Sequence, residues 1–272
     1  MDLNNLTAYL CPQSPQELPR WQPGYAWLGG GTWLFSEPQP QLHTLVDLGA
    51  LGWNEVEANQ TGLIIGATCH LSQLKTFSYP SEWTAVQGLQ QAIRALASFK
   101  VHNSATLAGN LCLALPASPF APMMVALAAE YELLDPAGAV RTVAAKDFQT
   151  GARQTVLAPG ELLRSVRIPI EFLTWRVSFQ RIYVASAGVA IAIIAAARCP
   201  KTGQTRLALG GSLSHPRLLT FSSLPELAAI GPAIDNQIAA TTYLDDFSAS
   251  RPYRRQVTRV LAERGLRELG SE

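Results

Sequence analysis

The stretch Leu28-Gly29-Gly30-Gly31-Thr32-Trp33-Leu34 sets three consecutive glycines between two apolar runs. Each glycine costs roughly 0.5–1 kcal/mol relative to alanine in a regular element, so the run suggests a backbone that turns with positive φ or closely approaches another group. Tyr25-Ala26-Trp27-Leu28 is typical of a short strand, and Thr32 stands where a helix could begin. Such a strand–glycine–helix turn directs free N–H groups at one point, which suits an anion such as phosphate. A tight turn without a ligand is the alternative.

Composition limits the class of protein. The chain has 272 residues, 48% of them hydrophobic, which is enough for one large domain or two. Only 15% of the residues are charged, against about 25% in average soluble domains, and this favours surfaces buried against partner proteins. The formal charge of +1 provides no basic field, so we expect no nucleic-acid partner.

Cysteines and histidines are scattered along the chain, without Cys-x-x-Cys spacing. This pattern argues against an iron–sulfur cluster or a zinc site held by this chain alone, and we expect no metal ligands here. The residues concerned are Cys11, Cys69, Cys112, Cys199, His43, His70, His102 and His215.

No targeting or membrane segment is evident. The first residues lack the basic head and apolar core of a signal peptide. The longest apolar run, residues 184–197, is too short to span a bilayer. We therefore expect no membrane span and a cytoplasmic protein with reduced thiols.

Signatures of nucleophilic and nucleotide chemistry are missing. There is no Gly-x-Ser-x-Gly, no P-loop and no Gly-x-Gly-x-x-Gly motif. Cys69 and His70 are neighbours in sequence, which does not make a dyad, and Asp245-Asp246 are better explained as a helix cap than as metal ligands. We assign no catalytic residue.

A second glycine-bearing loop follows at Asn103-Ser104-Ala105-Thr106-Leu107-Ala108-Gly109-Asn110-Leu111. By itself it could be an ordinary capped turn. Together, the two loops could hold the two phosphates of a dinucleotide cofactor.

The remaining pattern mixes short strands and helices, with a candidate boundary at residues 171–177. We predict strands at 25–28, 44–48, 62–67 and 164–169, helices at 89–99 and 121–129, a hairpin of 131–134 with 139–143, an antiparallel pair of 187–197 with 205–212, and a last helix capped by residues 245–250.

The chain resembles the FAD-binding medium subunit of the molybdenum hydroxylases, the group that includes xanthine dehydrogenase and carbon monoxide dehydrogenase. The similarity is carried by both glycine loops and by several further segments in the right order. These are Ile65-Gly66-Ala67-Thr68-Cys69-His70-Leu71-Ser72, Thr150-Gly151-Ala152-Arg153, Leu157-Ala158-Pro159-Gly160-Glu161-Leu162-Leu163, Ala208-Leu209-Gly210-Gly211 and Ser250-Arg251-Pro252-Tyr253-Arg254-Arg255.

The resemblance implies an α+β chain. Residues 1–170 would form a two-subdomain FAD-binding fold of the PCMH (vanillyl-alcohol oxidase-like) type. Residues 171–272 would form a small antiparallel-sheet-plus-helices domain of the carbon monoxide dehydrogenase flavoprotein type. The implied cofactor-binding residues are Leu28, Gly29, Gly30, Gly31, Thr32, Trp33, Leu34, Thr106, Gly109 and Asn110.

The implied function is electron transfer within an oxidoreductase complex. FAD on this chain would carry electrons from 2Fe-2S clusters of a small partner subunit to NAD or another acceptor. The molybdenum cofactor would be held by a large molybdopterin-containing subunit. Such a role needs no catalytic triad, because the flavin supplies the redox chemistry.

Some positions depart from the family pattern, and these departures leave a structural subunit with weakened or lost FAD binding as the alternative. Trp33 stands where Asp or Ser is usual, Ala108 where glycine is usual, Pro119 where an Asp contacts the cofactor, and His102 in place of a common arginine. At Ala108, the methyl group would be costly if the position required positive φ.

Overall fold

The computed structural model describes residue 3 and residues 5–96, 98–184 and 189–271. The strands are β1 (Ala8–Leu10), β2 (Tyr25–Leu28), β3 (Thr44–Asp47), β4 (Val56–Asn59), β5 (Gly62–Gly66), β6 (Glu130–Leu134), β7 (Val140–Ala144), β8 (Gln149–Gly151), β9 (Gln154–Thr155), β10 (Leu162–Pro169), β11 (Arg176–Tyr183), β12 (Ala190–Arg198), β13 (Thr205–Gly210) and β14 (Arg217–Phe221). The helices are α1 (Leu71–Thr76), α2 (Val86–Ala95), α3 (Phe99–His102), α4 (Leu107–Leu113), α5 (Phe120–Ala126), α6 (Ala145–Phe148), α7 (Ile170–Leu173), α8 (Leu227–Gln237) and α9 (Arg251–Gly270).

These elements form three main sheets, and the α+β class is confirmed. A parallel sheet has the strand order β1-β3-β2 and carries the first glycine loop at the end of β2. An antiparallel sheet follows with the order β4-β5-β10-β6-β7, and a second antiparallel sheet has the order β11-β12-β13-β14. Helix α5 packs on one side of β12 and β13, and α9 packs against β11 and β12.

The helix predicted after the glycines is wrong. Residues 32–36 form hydrogen-bonded turns instead, with the Phe35 N–H donating to the Gly31 carbonyl at 3.0 Å. Two features oppose a helix. The Ser36 hydroxyl donates to the Trp33 carbonyl at 2.7 Å and so competes with the backbone. Pro38 then disfavours helical φ and ψ at the residue before it.

Most of the other predicted elements form, with shifted ends. The hairpin of β6 and β7 closes through a turn in which the Asp135 N–H donates to the Ala139 carbonyl at 2.8 Å. The predicted helix 89–99 becomes two helices, α2 and α3, and Ala97 lies outside the described residues. The strand predicted from residue 187 begins at Ala190, and residues 185–188 lie outside the described part.

The buried side chains divide into two clusters. One runs from Leu18 to Trp175 and includes Ala195, Ala197 and Ala208 of the C-terminal sheet. The other contains residues from Ile191 to Leu269. Ile194 and Ala196 belong to the second cluster, so successive side chains of β12 face opposite cores, as the period of a strand requires. The division into 1–170 and 171–272 stays a prediction.

Arg206 of β13 connects the two halves. Its guanidinium lies over the Phe172 ring and donates to the carbonyls of Ala126 and Val125 at 2.8 and 2.9 Å, which end helix α5. A cation at the end of a helix satisfies carbonyls that have no partner within the helix. The C-terminal sheet is thereby attached to the helix that leads into β6.

Glu161 ties the turn before β10 to β7. Arg141 donates from Nε and Nη2 to the two carboxylate oxygens at 2.6 and 2.7 Å, and the Ala158 N–H donates at 2.9 Å. The hydrogen bonds from Arg141 hold the pKa of the Glu161 carboxyl below its usual value.

This interaction predicts a pH effect for Glu161→Gln. Because the folded pKa is lowered, the carboxylate stabilises the fold above its unfolded pKa of about 4.3, and this stabilisation is lost as the pH falls through the folded pKa. We expect the variant to be less stable than the unchanged chain near neutral pH and equally stable in strong acid. Urea unfolding across this pH range measures the difference, and a difference independent of pH would contradict the assignment.

Among the helices of the described residues, none is both long and apolar enough to cross a membrane.

Candidate functional site

Both glycine loops face the same cleft, which has a volume of about 600 Å³. One side is the turn that follows β2, and the other is the loop that leads into α4. Every residue predicted to bind the cofactor lines it: Leu28, Gly29, Gly30, Gly31, Thr32, Trp33, Leu34, Thr106, Gly109 and Asn110. Residues that are 72 to 82 positions apart in the chain therefore meet at one surface.

The three glycines have different surroundings, and the fold requires a glycine at two of them. A Cβ on Gly30 would lie 1.7 Å from the carbonyl oxygen of Ser104, so the two loops touch through their backbones here. Gly31 has a φ of +67°, and a Cβ there would lie 2.5 Å from the Phe35 ring. A Cβ on Gly29 would meet only the Thr106 hydroxyl, at an ordinary contact distance of 3.6 Å. Gly29 is thus the glycine whose Cβ position is open.

Thr106 begins helix α4. Its hydroxyl oxygen accepts the N–H of Gly109 at 3.0 Å, which is a side-chain N-cap. The Gly109 N–H is therefore used within the loop, and Thr106 can donate its hydroxyl hydrogen elsewhere. The N–H of Leu71 donates to the Ala105 carbonyl at 2.9 Å and fixes the loop to α1.

Asn110 is oriented by Ser118, which was not among the predicted site residues. The Ser118 hydroxyl donates to Asn110 Oδ1 at 2.5 Å and accepts the N–H groups of Phe120 and Ala121 at 3.3 and 3.2 Å. The Asn110 oxygen is thus engaged, and its NH₂ group is available as a donor. A serine followed by a proline directly before the apolar run 120–126 is a recognisable helix-start signal.

Two indole N–H groups of the cleft wall are buried without an acceptor. Among the described residues, Trp27 Nε1 and Trp33 Nε1 have no hydrogen-bond partner, and both rings line the cleft. A buried donor that lacks its acceptor costs about 1–3 kcal/mol. Such a pair in one cleft is consistent with a ligand that supplies acceptors.

The rest of the wall is mostly apolar and was not predicted. Leu96, Val101 and Leu115 lie outside the two glycine loops, where no local motif marks them. The other lining residues lie in or beside the loops: Ala105, Cys112, Leu113 and the polar Ser36. Burial raises the pKa of the Cys112 thiol to about 12, so this wall residue is neutral. None of the described lining residues is charged, and no group of three or more His, Cys, Asp or Glu side chains suited to a metal occurs in the described ranges.

The positions that depart from the family pattern have ordinary roles in the fold. Ala108 lies within α4 and is not among the described non-glycine residues with positive φ, so its methyl group causes no backbone strain. Pro119 is buried at the start of α5 and is not part of the cleft lining. His102 is buried and donates through Nε2 to the Leu96 carbonyl at 2.6 Å. Only Trp33 is in the cleft wall.

The chain is similar in sequence to known dehydrogenases. The chain is 31% identical over 137 residues to a xanthine dehydrogenase from Oryza sativa subsp. japonica, and this match covers 48% of this chain and 9% of the relative. It is 31% identical over 147 residues to the carbon monoxide dehydrogenase medium chain of Afipia carboxidovorans, and this match covers 53% of this chain and 50% of the relative. The matched segments thus span half or less of these relatives.

The fold extends the likeness to almost the whole chain. A carbon monoxide dehydrogenase from Hydrogenophaga pseudoflava superposes with a TM-score of 0.83, covering 98% of each chain at 20% identity. At that identity the match establishes the fold. Residues 5–171 match the model of the FAD binding domain in molybdopterin dehydrogenase, and the chain therefore belongs to this family of FAD-binding molybdopterin dehydrogenase domains.

Proposed function

We propose that the chain is the FAD-binding subunit of a molybdenum hydroxylase complex and takes part in its electron transfer. The observation that carries this proposal is the meeting of two glycine loops at one cleft, inside the segment that matches the FAD-binding family. A volume of about 600 Å³ is within the range of cofactor sites.

We infer that the pyrophosphate of FAD binds between the two loops. Gly29, Gly30 and Gly31 would present backbone N–H groups, and Thr32 and Thr106 would donate hydroxyl hydrogens. The Asn110 NH₂ group, oriented through Ser118, would complete the pocket beside Gly109. Leu28, Trp33 and Leu34 would contact the flat rings.

The chain's own contribution is binding and orientation. The bound flavin would supply the redox chemistry, so the protein needs no nucleophile or general base in the cleft. The uncharged lining and the neutral Cys112 thiol fit this role. An apolar wall also excludes water from the ring system.

The names of the relatives support a proposal for the wider assembly. The Afipia relative is named a medium chain, which supports a complex with further subunits. We propose a large molybdopterin-containing subunit and a small 2Fe-2S subunit as partners, with NAD or another acceptor receiving the electrons in the cytoplasm. We propose further that residues 1–170 bind FAD and residues 171–272 form a separate C-terminal domain.

Reconstitution with FAD tests the proposal. The purified chain, incubated with excess FAD and desalted, should keep a flavin absorbance band and unfold at a higher temperature than the FAD-free chain. If neither effect is seen, the FAD-binding role is wrong. Recovery of the chain with its partner subunits but without flavin would then favour a structural subunit.

Gly29→Ala gives a matched variant for this experiment. Its methyl group enters open space beside Thr106. The free energy of unfolding of the FAD-free variant should therefore lie within about 0.5 kcal/mol of that of the unchanged chain. In the FAD-bound chain the methyl group would occupy the proposed pyrophosphate site, and we expect about tenfold weaker FAD binding. Flavin titration and urea unfolding measure the two quantities, and unchanged affinity would remove Gly29 from the site.

A further inference from the structure

Trp33 is a large aromatic residue directly beside the first glycine loop. Its ring lines the cleft directly after Gly31 and Thr32, and among the described residues its indole N–H is buried without an acceptor. A large flat side chain at this place narrows the cleft, but its face can pack against a flat ligand.

Arg153 covers this indole from a separate part of the fold. Its guanidinium carbon lies 5.5 Å from the centre of the Trp33 ring. The Arg153 backbone lies between β8 and β9 with a φ of +58°, and its N–H donates to the Ala114 carbonyl at 2.8 Å, which holds the turn in place. Glu37 is 3.7 Å from the guanidinium. The Arg153 side chain thus bridges the β8–β9 turn and the first loop.

We propose that Trp33 stacks on a flat ring of the bound dinucleotide and that Arg153 holds the indole in place for this contact. The inference rests on the proposed FAD-binding function. A guanidinium over an indole is an attractive cation–π contact, and it fixes the ring plane before the ligand arrives. Trp33 is then a binding residue, and Arg153 is a positioning residue.

Stacking and hydrogen bonding predict different results at position 33. Base–aromatic stacking typically contributes about 1–3 kcal/mol, so Trp33→Leu should raise the Kd for FAD by about 5- to 150-fold. Trp33→Phe keeps a flat ring without an N–H and should stay within about threefold of the unchanged chain. A loss in Trp33→Phe as large as in Trp33→Leu would show that the N–H carries the contact, and stacking would be wrong.

The measurement is the quenching of flavin fluorescence during titration with each variant of the full chain. Phe247→Leu serves as the control, because Phe247 is fully exposed and does not line the cleft. Arg153→Gln should raise the Kd about two- to fivefold. If the stacked ring is the isoalloxazine, the variant should also reduce the extent of quenching at saturation, which a purely structural role would not alter. Thermal unfolding of each FAD-free variant verifies that it folds.

Riboflavin and ADP identify the ring that stacks. If Trp33→Leu weakens riboflavin binding and leaves ADP binding unchanged, Trp33 contacts the isoalloxazine, and the reverse result places the adenine there. If the unchanged chain binds FAD and Trp33→Leu binds it equally well, the stacking inference fails while the proposed function stands. If the unchanged chain does not bind FAD, the proposed function itself fails.

Discussion

Gly30→Ala is expected to separate the two glycine loops and to abolish measurable FAD binding. The new methyl group would lie 1.7 Å from the Ser104 carbonyl oxygen and 2.6 Å from the carbonyl carbon. These are backbone atoms, so no side-chain rotation can relieve the contact. One loop has to move by more than an ångström, and the cleft between them changes shape.

The expected magnitude follows from the cost of overpacking. Forced backbone shifts typically destabilise by about 1–3 kcal/mol, and we expect the upper end because Ser104 is itself held by an N–H donation to the Val101 carbonyl at 3.1 Å. FAD affinity should fall by at least about 100-fold. Urea unfolding of the FAD-free chain and flavin titration provide both measurements.

Gly29→Ala is the control in the same loop. The two variants add the same methyl group one residue apart, but only Gly30 faces a backbone. Gly30→Ala should therefore lose both stability and affinity, whereas Gly29→Ala should lose affinity alone. Equal stability of the two FAD-free variants would mean that the loops are not in contact at Gly30.

The sequence was sufficient to identify the loops, but their separate roles required the structure. A run of glycines predicts a turn or a close approach. It does not show that Gly30 meets Ser104, that Gly31 adopts positive φ, or that Gly29 is open. The helix predicted after Thr32 did not form because Ser36 and Pro38 favour turns, and these local signals outweighed the helix-start signal of Thr32.

The cleft wall shows more generally which contacts cannot be predicted from a sequence. Leu96, Val101 and Leu115 lie on three separate segments, and no periodicity within one segment predicts that they meet. Ser118 was within reach of prediction, since it caps a helix. Its effect on Asn110 required the two helices to be placed side by side. Ala108 led to an expectation of strain that its helical position removes.

Arg254, at the start of α9, is the other position with a large expected effect. It is only 3% exposed. Its Nη1 donates to the carbonyls of Ile191 and Gly211 at 2.8 and 3.0 Å, and Nη2 donates to both oxygens of Asp246 at 2.8 Å. One guanidinium thus links α9 to β12, to the turn after β13 and to the loop before α9.

Arg254→Ala is expected to lower the free energy of unfolding by about 3–5 kcal/mol, because it removes a buried cation that pairs with the partly exposed Asp246 and leaves the carbonyls of Ile191, Gly211 and Ala249 without this donor. Arg254→Lys should recover only part of the loss, since an ammonium group cannot reproduce the planar two-oxygen contact with Asp246.

The neighbouring Arg255 is the control: it pairs with Asp235 at 3.0 Å but is 37% exposed, so Arg255→Ala should cost about 0–1 kcal/mol. Urea unfolding compares the three variants. A loss for Arg254→Ala no larger than that for Arg255→Ala would show that the buried guanidinium does not hold the C-terminal sheet and helix together.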